Sequence, residues 1–260
     1  MTSRWRWPLR VVALGYLALL VVIPVGSVFY RAFEHGFAAA WDAITTPDAL
    51  HALWLTLVVV VIAVTADTIF GVGVSLILAR HRFPGAWLLD ALIDIPLAIS
   101  PVVVGLSLLL VYGHGGWLGN WLASHGIQVV FSVPGIVMAS AAVALPYVVR
   151  EVLPVLQEIG TEQEQAAATL GAGPLATFRR ITLPSIRRGL TYGVVLTTAR
   201  VLGEFGAVAI VSGAIAGKTQ TMTLFIAQSV DNLDPVAAYA GSVILALIAL
   251  GVLAALGTDP

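Results

Sequence analysis

Three apolar stretches without any charged residue constrain the fold of this chain more than any other feature. They are 11–30, 127–149 and 236–256, of 20, 23 and 21 residues. A helix of about 20 apolar residues is long enough to cross the hydrocarbon core of a bilayer. Only 10% of the residues are charged, against about 25% in an ordinary soluble domain. The sequence therefore predicts an all-α membrane protein.

Three further apolar segments contain or adjoin charged residues. They are 52–79, which includes Asp67, 95–112, which follows Asp94, and 189–211, which includes Arg200 and Glu204. We therefore predict six spans in one transmembrane domain over residues 1–260. The first span resembles a signal peptide because arginines precede it, but its apolar run exceeds the usual length of about 7–15 residues and no A-x-A-like site follows. We therefore expect an uncleaved span.

The distribution of lysine and arginine predicts the orientation. With the N-terminus in the cytoplasm, the inner segments contain ten basic residues and the outer loops contain Arg31 and Lys218. The ten are Arg4, Arg6, Arg10, Arg80, Arg82, Arg150, Arg179, Arg180, Arg187 and Arg188. Because cytoplasmic loops carry an excess of Lys and Arg, we expect both termini to be cytoplasmic.

The stretch "SGAIAGKT" at 212–219 is similar to a phosphate-binding loop, G-x-x-x-x-G-K-[ST]. Its first glycine is one residue too close to the second, and the predicted topology puts it on the outer face, where cytoplasmic ATP cannot reach it. We interpret it as a turn after the fifth span. An alternative role is at the outer mouth of a pathway, with Lys218 attracting an anion. The sequence offers no other nucleotide site, so any ATP and magnesium would bind to another subunit.

One cytoplasmic loop, with its two-helix part at 158–184, carries helix signals of its own. Thr161 and Glu164 have the spacing of a capping box, which predicts a helix start. Gly171 would end that helix in a left-handed conformation. Pro174 is suited to begin a second helix that ends before Pro184. Such helices could be an inert interfacial segment, but the small surface of "AAA" at 166–168 favours insertion into a groove of a partner.

This loop resembles the EAA loop of permeases of ATP-binding-cassette (ABC) importers. The residues in register with that motif are Gln165, Ala166, Ala167, Gly171, Ile181, Leu183 and Pro184. Gln165 replaces the usual glutamate, so the charge is either dispensable or supplied by Glu164. The resemblance implies a type I importer permease fold, in which this loop is the coupling helix that docks on the ATPase.

Other segments resemble the sulfate/thiosulfate permeases, in particular the W-type subunit of a two-permease system. They are "SPVVVGL" (100–106), "FSVPGIVMA" (131–139), "ARVLGEFGAVAIVSG" (199–213) and "GKTQTMTL" (217–224). The resemblance implies a homologous second permease, two ATPase copies, an external anion-binding protein and a bacterial inner membrane, with no nucleic acid. Molybdate and tungstate permeases share "GEFGA", so they remain an alternative. A stand-alone secondary anion transporter is the alternative from another class.

Charged residues within the spans are candidates for the pathway. Arg200 and Glu204 are four residues apart and are expected on one face of the fifth helix. Intramembrane charges usually face a bundle interior or a water-filled path. We assign Arg200, Glu204, Asp67 and Ser100 to the pathway, with a buried pair that only pins helices as the alternative. The sequence shows neither a metal-ligand set nor a catalytic set.

Overall fold

The computed structural model describes residues 6–257, and these residues contain helices but no strand. The helices are α1 Arg6–Leu17, α2 Ile23–Phe33, α3 Phe37–Ile44, α4 Pro47–Arg80, α5 Ala86–Ala98, α6 Pro101–Tyr112, α7 Gly119–Ser124, α8 Val133–Ile159, α9 Glu162–Thr169, α10 Pro174–Thr177, α11 Leu183–Ser185, α12 Arg187–Leu202, α13 Gly206–Ser212, α14 Met222–Asp231 and α15 Pro235–Gly257. Two π-helical segments, Ala18–Val22 and Phe178–Thr182, join neighbouring helices. Arg4 and both chain ends lie outside the described residues.

Four helices are long and apolar enough to cross a membrane on their own. They are Leu9–Phe33, which combines α1 and α2, then α4, α8 and Pro235–Ala255 of α15. Two further spans are bent pairs, α5 with α6 at 113° and α12 with α13 at 55°. The prediction of six spans is confirmed when each bent pair is counted as one span.

The third span differs from the predicted helix over 95–112. It begins at Ala86 and breaks after Ala98, and α6 starts again at Pro101. Pro101 has no N–H to continue the first helix, and the Ser100 hydroxyl accepts a hydrogen bond from the Val102 amide at 3.4 Å, which caps α6. Arg150 of α8 holds the first half in place, because its Nε donates to Asp94 Oδ1 at 2.8 Å.

The fourth span is displaced from the predicted 127–149. α8 begins at Val133, because the Ser132 hydroxyl bonds back to the Gln128 carbonyl at 2.8 Å and Pro134 occupies the first turn. The helix continues to Ile159 and therefore includes Arg150. The long connection, predicted to be cytoplasmic, starts only at Gly160, ten residues later than a span ending at Val149 predicts.

The fifth span, predicted over 189–211, is interrupted. α12 ends at Leu202 and α13 starts at Gly206, so Glu204 lies in the break and not on a helix. The expectation that Arg200 and Glu204 share one helix face is therefore wrong, although the two side chains still meet.

Helices α4, α8 and α12 pack closely around Val148. A β-carbon built on Gly71 of α4 would lie 2.7 Å from Val148 Cγ1, and one built on Gly193 of α12 would lie 3.1 Å from Val148 Cα. Glycine permits this approach because any side chain would collide. α4 and α8 run in the same direction, since Arg80 further along α4 reaches the Leu156 carbonyl further along α8. α12 runs in the direction opposite to that of α4 and α8.

The chain re-enters the protein after α13. Residues 213–218 are exposed, but Thr219, Gln220, Thr221 and Met222 are buried. The Met222 amide donates to the Thr56 hydroxyl at 2.8 Å, and Thr56 is the tenth residue of α4. The segment after the fifth span is thus an exposed turn followed by a buried return, whereas the sequence predicted an external loop.

Candidate functional site

The Arg200 and Glu204 side chains form an ion pair at the break of the fifth span. Arg200 Nη1 lies 2.7 Å from Glu204 Oε2, although the angle falls outside hydrogen-bond geometry. Glu204 Oε1 accepts a hydrogen bond from the Ala207 amide at 2.8 Å and so caps α13. The side chain of Glu204 is 2% exposed and that of Arg200 is 27% exposed. The Glu204 carboxylate is therefore buried at the start of α13, and the Arg200 side chain is the more exposed of the two.

The breaks of the third and fifth spans lie against each other. A β-carbon built on Gly206 would lie 3.2 Å from Pro101 Cβ, and one built on Gly105 would lie 2.7 Å from the Ala207 carbonyl oxygen. The beginnings of α6 and α13 are thus in contact. Ser100, which caps α6 and is exposed, therefore belongs to the same region of the protein as Glu204.

Asp67 does not join the Arg200–Glu204 pair. Among the described residues it forms no ion pair, and its Oδ2 atom has no hydrogen-bond partner. The side chain is nevertheless buried, at 3% exposure. The structure therefore brings three of the four predicted pathway residues together and leaves Asp67 separate.

A small polar cavity adjoins Glu204. Its lining includes Thr56, Ser140, Thr221 and Thr223, and apolar residues close the remainder. The Thr223 hydroxyl donates to the Glu204 backbone carbonyl at 2.9 Å and lies 3.1 Å from the Thr221 hydroxyl. These hydroxyl groups were not predicted from the sequence. The available signal was the run "TQTMT" at 219–223, which follows the turn after the fifth span.

Several amides in and next to the turn at 212–219 are already engaged within it. The amides of Lys218, Thr219 and Gln220 all donate to the Ile215 carbonyl, at 3.1, 2.9 and 3.1 Å. The Thr219 hydroxyl accepts from the Ile215 amide at 3.2 Å. Lys218 is exposed. The segment is the predicted turn, and hydrogen bonds within the turn stabilise it. We therefore interpret its resemblance to a phosphate-binding loop as coincidental.

The loop predicted to be cytoplasmic begins with the predicted helix, but the predicted capping box does not form. α9 starts after Thr161, whose hydroxyl accepts from Gln165 Nε2 at 2.9 Å. Glu164 points away from the helix start, towards Arg80. Gly171 follows the helix with φ of 83°, as a left-handed terminus requires.

The second helix of the loop starts at Pro174 as predicted but does not end before Pro184. The π-helical segment Phe178–Thr182 continues it, and the Leu183 amide bonds to the Phe178 carbonyl. Pro184 then lies in the first turn of α11, where its missing N–H is not needed. The wide π turn therefore carries the helix past the proline.

Arg80 connects the loop to the spans. Its Nε and Nη2 atoms donate to the two carboxylate oxygens of Glu164 at 3.1 and 3.2 Å, and its Nη1 donates to the Leu156 carbonyl at 2.9 Å. The Thr182 hydroxyl donates to Glu164 Oε1 at 2.8 Å. Glu164 is turned inward, so it does not supply the charge that Gln165 lacks.

The residues of the EAA-like motif differ in exposure. Gln165, Ala166, Gly171, Leu183 and Pro184 are exposed, whereas Ala167 and Ile181 are half-buried. Two leucines at the tip of the loop, Leu170 and Leu175, are 88% and 70% exposed. Such exposed apolar residues, next to the exposed basic Arg179 and Arg180, are typical of an interaction surface.

The described residues contain no group of three or more His, Cys, Asp or Glu side chains that could hold a metal ion. The predicted absence of a metal site stays a prediction for the whole chain.

The fold has six apolar spans when each bent pair is counted as one span. The two bent spans are broken where they contact each other, and a helical loop extends beyond the spans. These features are typical of a membrane transport subunit. Residues 71–257 match the family described as "Binding-protein-dependent transport system inner membrane component". The chain belongs to this family of permeases of ABC importers.

The relatives share most of their length with this chain. It is 48% identical over 249 residues to the sulfate transport system permease protein CysW of Synechocystis sp. The alignment covers 96% of this chain and 90% of that protein. CysW of Escherichia coli K12 is 42% identical, covering 94% and 84% of the two chains. The CysT permease of the same bacterium is 39% identical, covering 90% and 85%.

A solved bacterial ABC transporter that imports the acidic polysaccharide alginate contains a chain with the same fold. Its TM-score is 0.81 at 15% identity, over 98% of this chain and 94% of that chain. At this identity the similarity concerns the fold alone.

Proposed function

We propose that this chain is the permease subunit of an ATP-driven importer of sulfate and related oxyanions such as thiosulfate, and that it forms half of the translocation pathway. Relatives named as sulfate permeases, at 39–48% identity over at least 90% of the chain, support the substrate class. The observation that carries the proposal is Arg200, a cation at a helix break within a span.

Arg200 and Glu204 have different roles in the proposed pathway. The side chain of Arg200 is the more exposed partner, at 27%, and the planar set of N–H donors of its guanidinium matches the oxygen atoms of a tetrahedral anion. Glu204 is buried and hydrogen-bonded to the start of α13, so it fixes the position of Arg200 and balances its charge. A balanced site binds a dianion weakly enough to release it, as a transport pathway requires.

Two further residues complete the proposed pathway. Ser100 offers an exposed hydroxyl at the adjoining helix break. Lys218 is exposed on the turn after α13, where its positive charge attracts anions to the outer mouth. Arg200 is then the binding group, and Lys218 raises the local concentration of the anion.

The proposed assembly contains a homologous second permease, two copies of an ATPase subunit that bind ATP and magnesium, and an external anion-binding protein. The chain resembles both CysW and CysT of one bacterium, which supports a pair of different permeases. The loop with Leu170 and Leu175 at its tip would dock on the ATPase. In this arrangement both termini are cytoplasmic and the membrane is the inner membrane.

Uptake by a strain that lacks its own sulfate importer tests the substrate class. Cells that express the complete system should accumulate labelled sulfate, and unlabelled thiosulfate should compete more strongly than molybdate or tungstate. Molybdate uptake without sulfate uptake would assign the chain to the alternative substrate. Uptake by this chain without any co-purifying ATPase would favour a stand-alone anion transporter.

A further inference from the structure

A buried carboxyl group without a partner lies in the middle of α4. Asp67 is 3% exposed, and its Oδ2 atom has no hydrogen-bond partner. Thr197 of α12 is 0% exposed, and its hydroxyl oxygen also lacks a partner. Buried polar groups are almost always hydrogen-bonded. The proposed pathway does not explain why two buried oxygen atoms on the packed helices α4 and α12 lack a partner.

The register of the helices puts the two residues at one level. Gly71 of α4 and Gly193 of α12 both face Val148, and α4 and α12 run in opposite directions. Residues four apart lie on one face of a helix, one turn along it. One turn towards the outer side leads from Gly71 to Asp67 and from Gly193 to Thr197.

The surroundings of this level are apolar. Towards the outer side lies a core cluster that includes Val64, Ala144 and Val201. Towards the cytoplasmic side lies a second cluster that includes Val72 and Val148. The carboxyl and the hydroxyl are therefore enclosed between two hydrophobic clusters.

No cation compensates the Asp67 carboxyl in the described part of the chain. The helices packed against α4 carry Asp42 on α3, Arg150, Glu151 and Glu158 on α8, Arg187, Arg188 and Arg200 on α12, and Asp231 on α14. Arg200 pairs with Glu204, and Arg150 pairs with Asp94. Arg187 and Arg188 begin α12, more than two turns from Thr197 towards the cytoplasm. Glu151 also lies on the cytoplasmic side, because its Cβ is 3.4 Å from a β-carbon built on Gly193.

We propose that Asp67, with Thr197 at the same level, is an internal proton-binding site. An ionised carboxylate without a partner is so unfavourable in an apolar interior that the group binds a proton instead. A metal ion would need more ligands than one carboxylate and one hydroxyl. In this conformation the Asp67 carboxyl is therefore neutral, and the Thr197 hydroxyl is a second buried polar group without a partner at the same level.

The neutral state has a consequence for transport, which rests on the proposed function. Arg200 follows Thr197 by three residues, so the level of Asp67 lies about one turn of α12 from Arg200, without an ion pair between the two side chains. An ionised Asp67 would therefore act on Arg200 only as a nearby negative charge. That charge would compete with an anionic substrate for the guanidinium. Protonation of Asp67 keeps Arg200 balanced by Glu204 alone.

Infrared difference spectra of the purified complex, wild type minus Asp67→Asn, test the site without any transport assay. A proton on Asp67 gives a neutral carboxylic acid band at neutral pH that the variant lacks. A carboxylate band in its place would overturn the proposal. Glu34→Gln is the control, because Glu34 is exposed beside Arg31 and should contribute a carboxylate band.

Assembly and uptake give a second test. Asn is a neutral isostere of protonated Asp, so Asp67→Asn should assemble with unchanged yield and transport at neutral pH. Its uptake should also fall less than that of the wild type as the pH is raised. Failure of Asp67→Asn to assemble, when Asp67→Glu assembles, would mean that the ionised form is required and would refute the site. Lack of sulfate uptake by every variant, with the acid band present, would contradict the proposed substrate and leave the proton site intact.

Discussion

Arg80, the last residue of α4, holds Glu164 of the loop between α8 and α12 through two hydrogen bonds of 3.1 and 3.2 Å. The same guanidinium binds the Leu156 carbonyl near the end of α8. One side chain thus joins the loop to two spans of the central packing. We therefore expect a movement of the loop to be passed to α4 and α8.

Replacing Arg80 with Gln should uncouple the loop from the spans. Hydrogen bonds to charged groups contribute about 1.5–3 kcal/mol each, and the Arg80 and Glu164 side chains are only 13% and 22% exposed. We expect the variant to assemble, to hydrolyse ATP and to show at least about a tenfold lower ratio of uptake to ATP hydrolysis, one decade being about 1.4 kcal/mol. Uptake and hydrolysis measured on the same vesicles give this ratio.

The exposed neighbour Arg82 provides the matched control, since Arg82→Gln removes a charge without breaking the Arg80 contacts. The reversed pair Arg80→Glu with Glu164→Arg should recover part of the ratio. An unchanged ratio in Arg80→Gln would show that the contact does not transmit movement.

The conformation of Gly171 gives a second prediction. Its φ is 83° and a β-carbon built on it meets no atom within 4 Å. A substitution is therefore unfavourable because of the backbone alone, by roughly 1–2 kcal/mol for an ordinary residue. Asn tolerates this region better than Asp or Val, so uptake should decrease in the order Gly, Asn, Asp, Val.

Uptake by the Gly171 series should fall while insertion into the membrane, measured by yield of folded protein, stays constant. Gly173→Ala is the control, because Gly173 has an ordinary φ of −73° and open space around it. Equal uptake and substrate-stimulated ATP hydrolysis across the whole series would exclude a role for this turn in coupling.

The apolar runs predicted the spans because the bilayer thickness dictates their length, whereas the breaks depend on tertiary contacts. Pro101 marks the break of the third span in the sequence, whereas no proline marks the break at Glu204, where α13 packs against Pro101 through Gly206. The capping box failed for a similar reason. Glu164 binds a charged partner 84 residues away, and that stronger contact prevails over a local one.

The topology predicts opposite accessibility for two exposed residues. Lys218→Cys should react with an impermeant thiol reagent added outside intact cells. Leu170→Cys, at a position that is 88% exposed on the loop, should react only after the membrane is opened. The natural chain has no cysteine, so each variant carries a single reporter. Labelling of Leu170→Cys from outside would invert the orientation.

Variants of the Arg200–Glu204 pair distinguish a role in the pathway from a purely structural role. Arg200→Met with Glu204→Gln removes both charges and retains an oxygen that can accept from the Ala207 amide, so the cap of α13 survives. Replacement of a buried pair by neutral groups is often nearly neutral for stability, and this double variant should assemble and hydrolyse ATP. If Arg200 binds the anion, sulfate uptake should still fall at least about a hundredfold, which corresponds to about 2.7 kcal/mol of lost binding.

The single variant Glu204→Gln gives the complementary result. It leaves the Arg200 charge without a balancing carboxylate, so the site should bind a dianion more tightly and release it more slowly. We therefore expect a lower KM for sulfate together with a lower maximal uptake rate, measured in vesicles with the complete transporter. The double variant loses this tighter binding because it has no cation. Wild-type uptake by the double variant would show that the pair only holds α12 and α13 together and would remove Arg200 from the pathway.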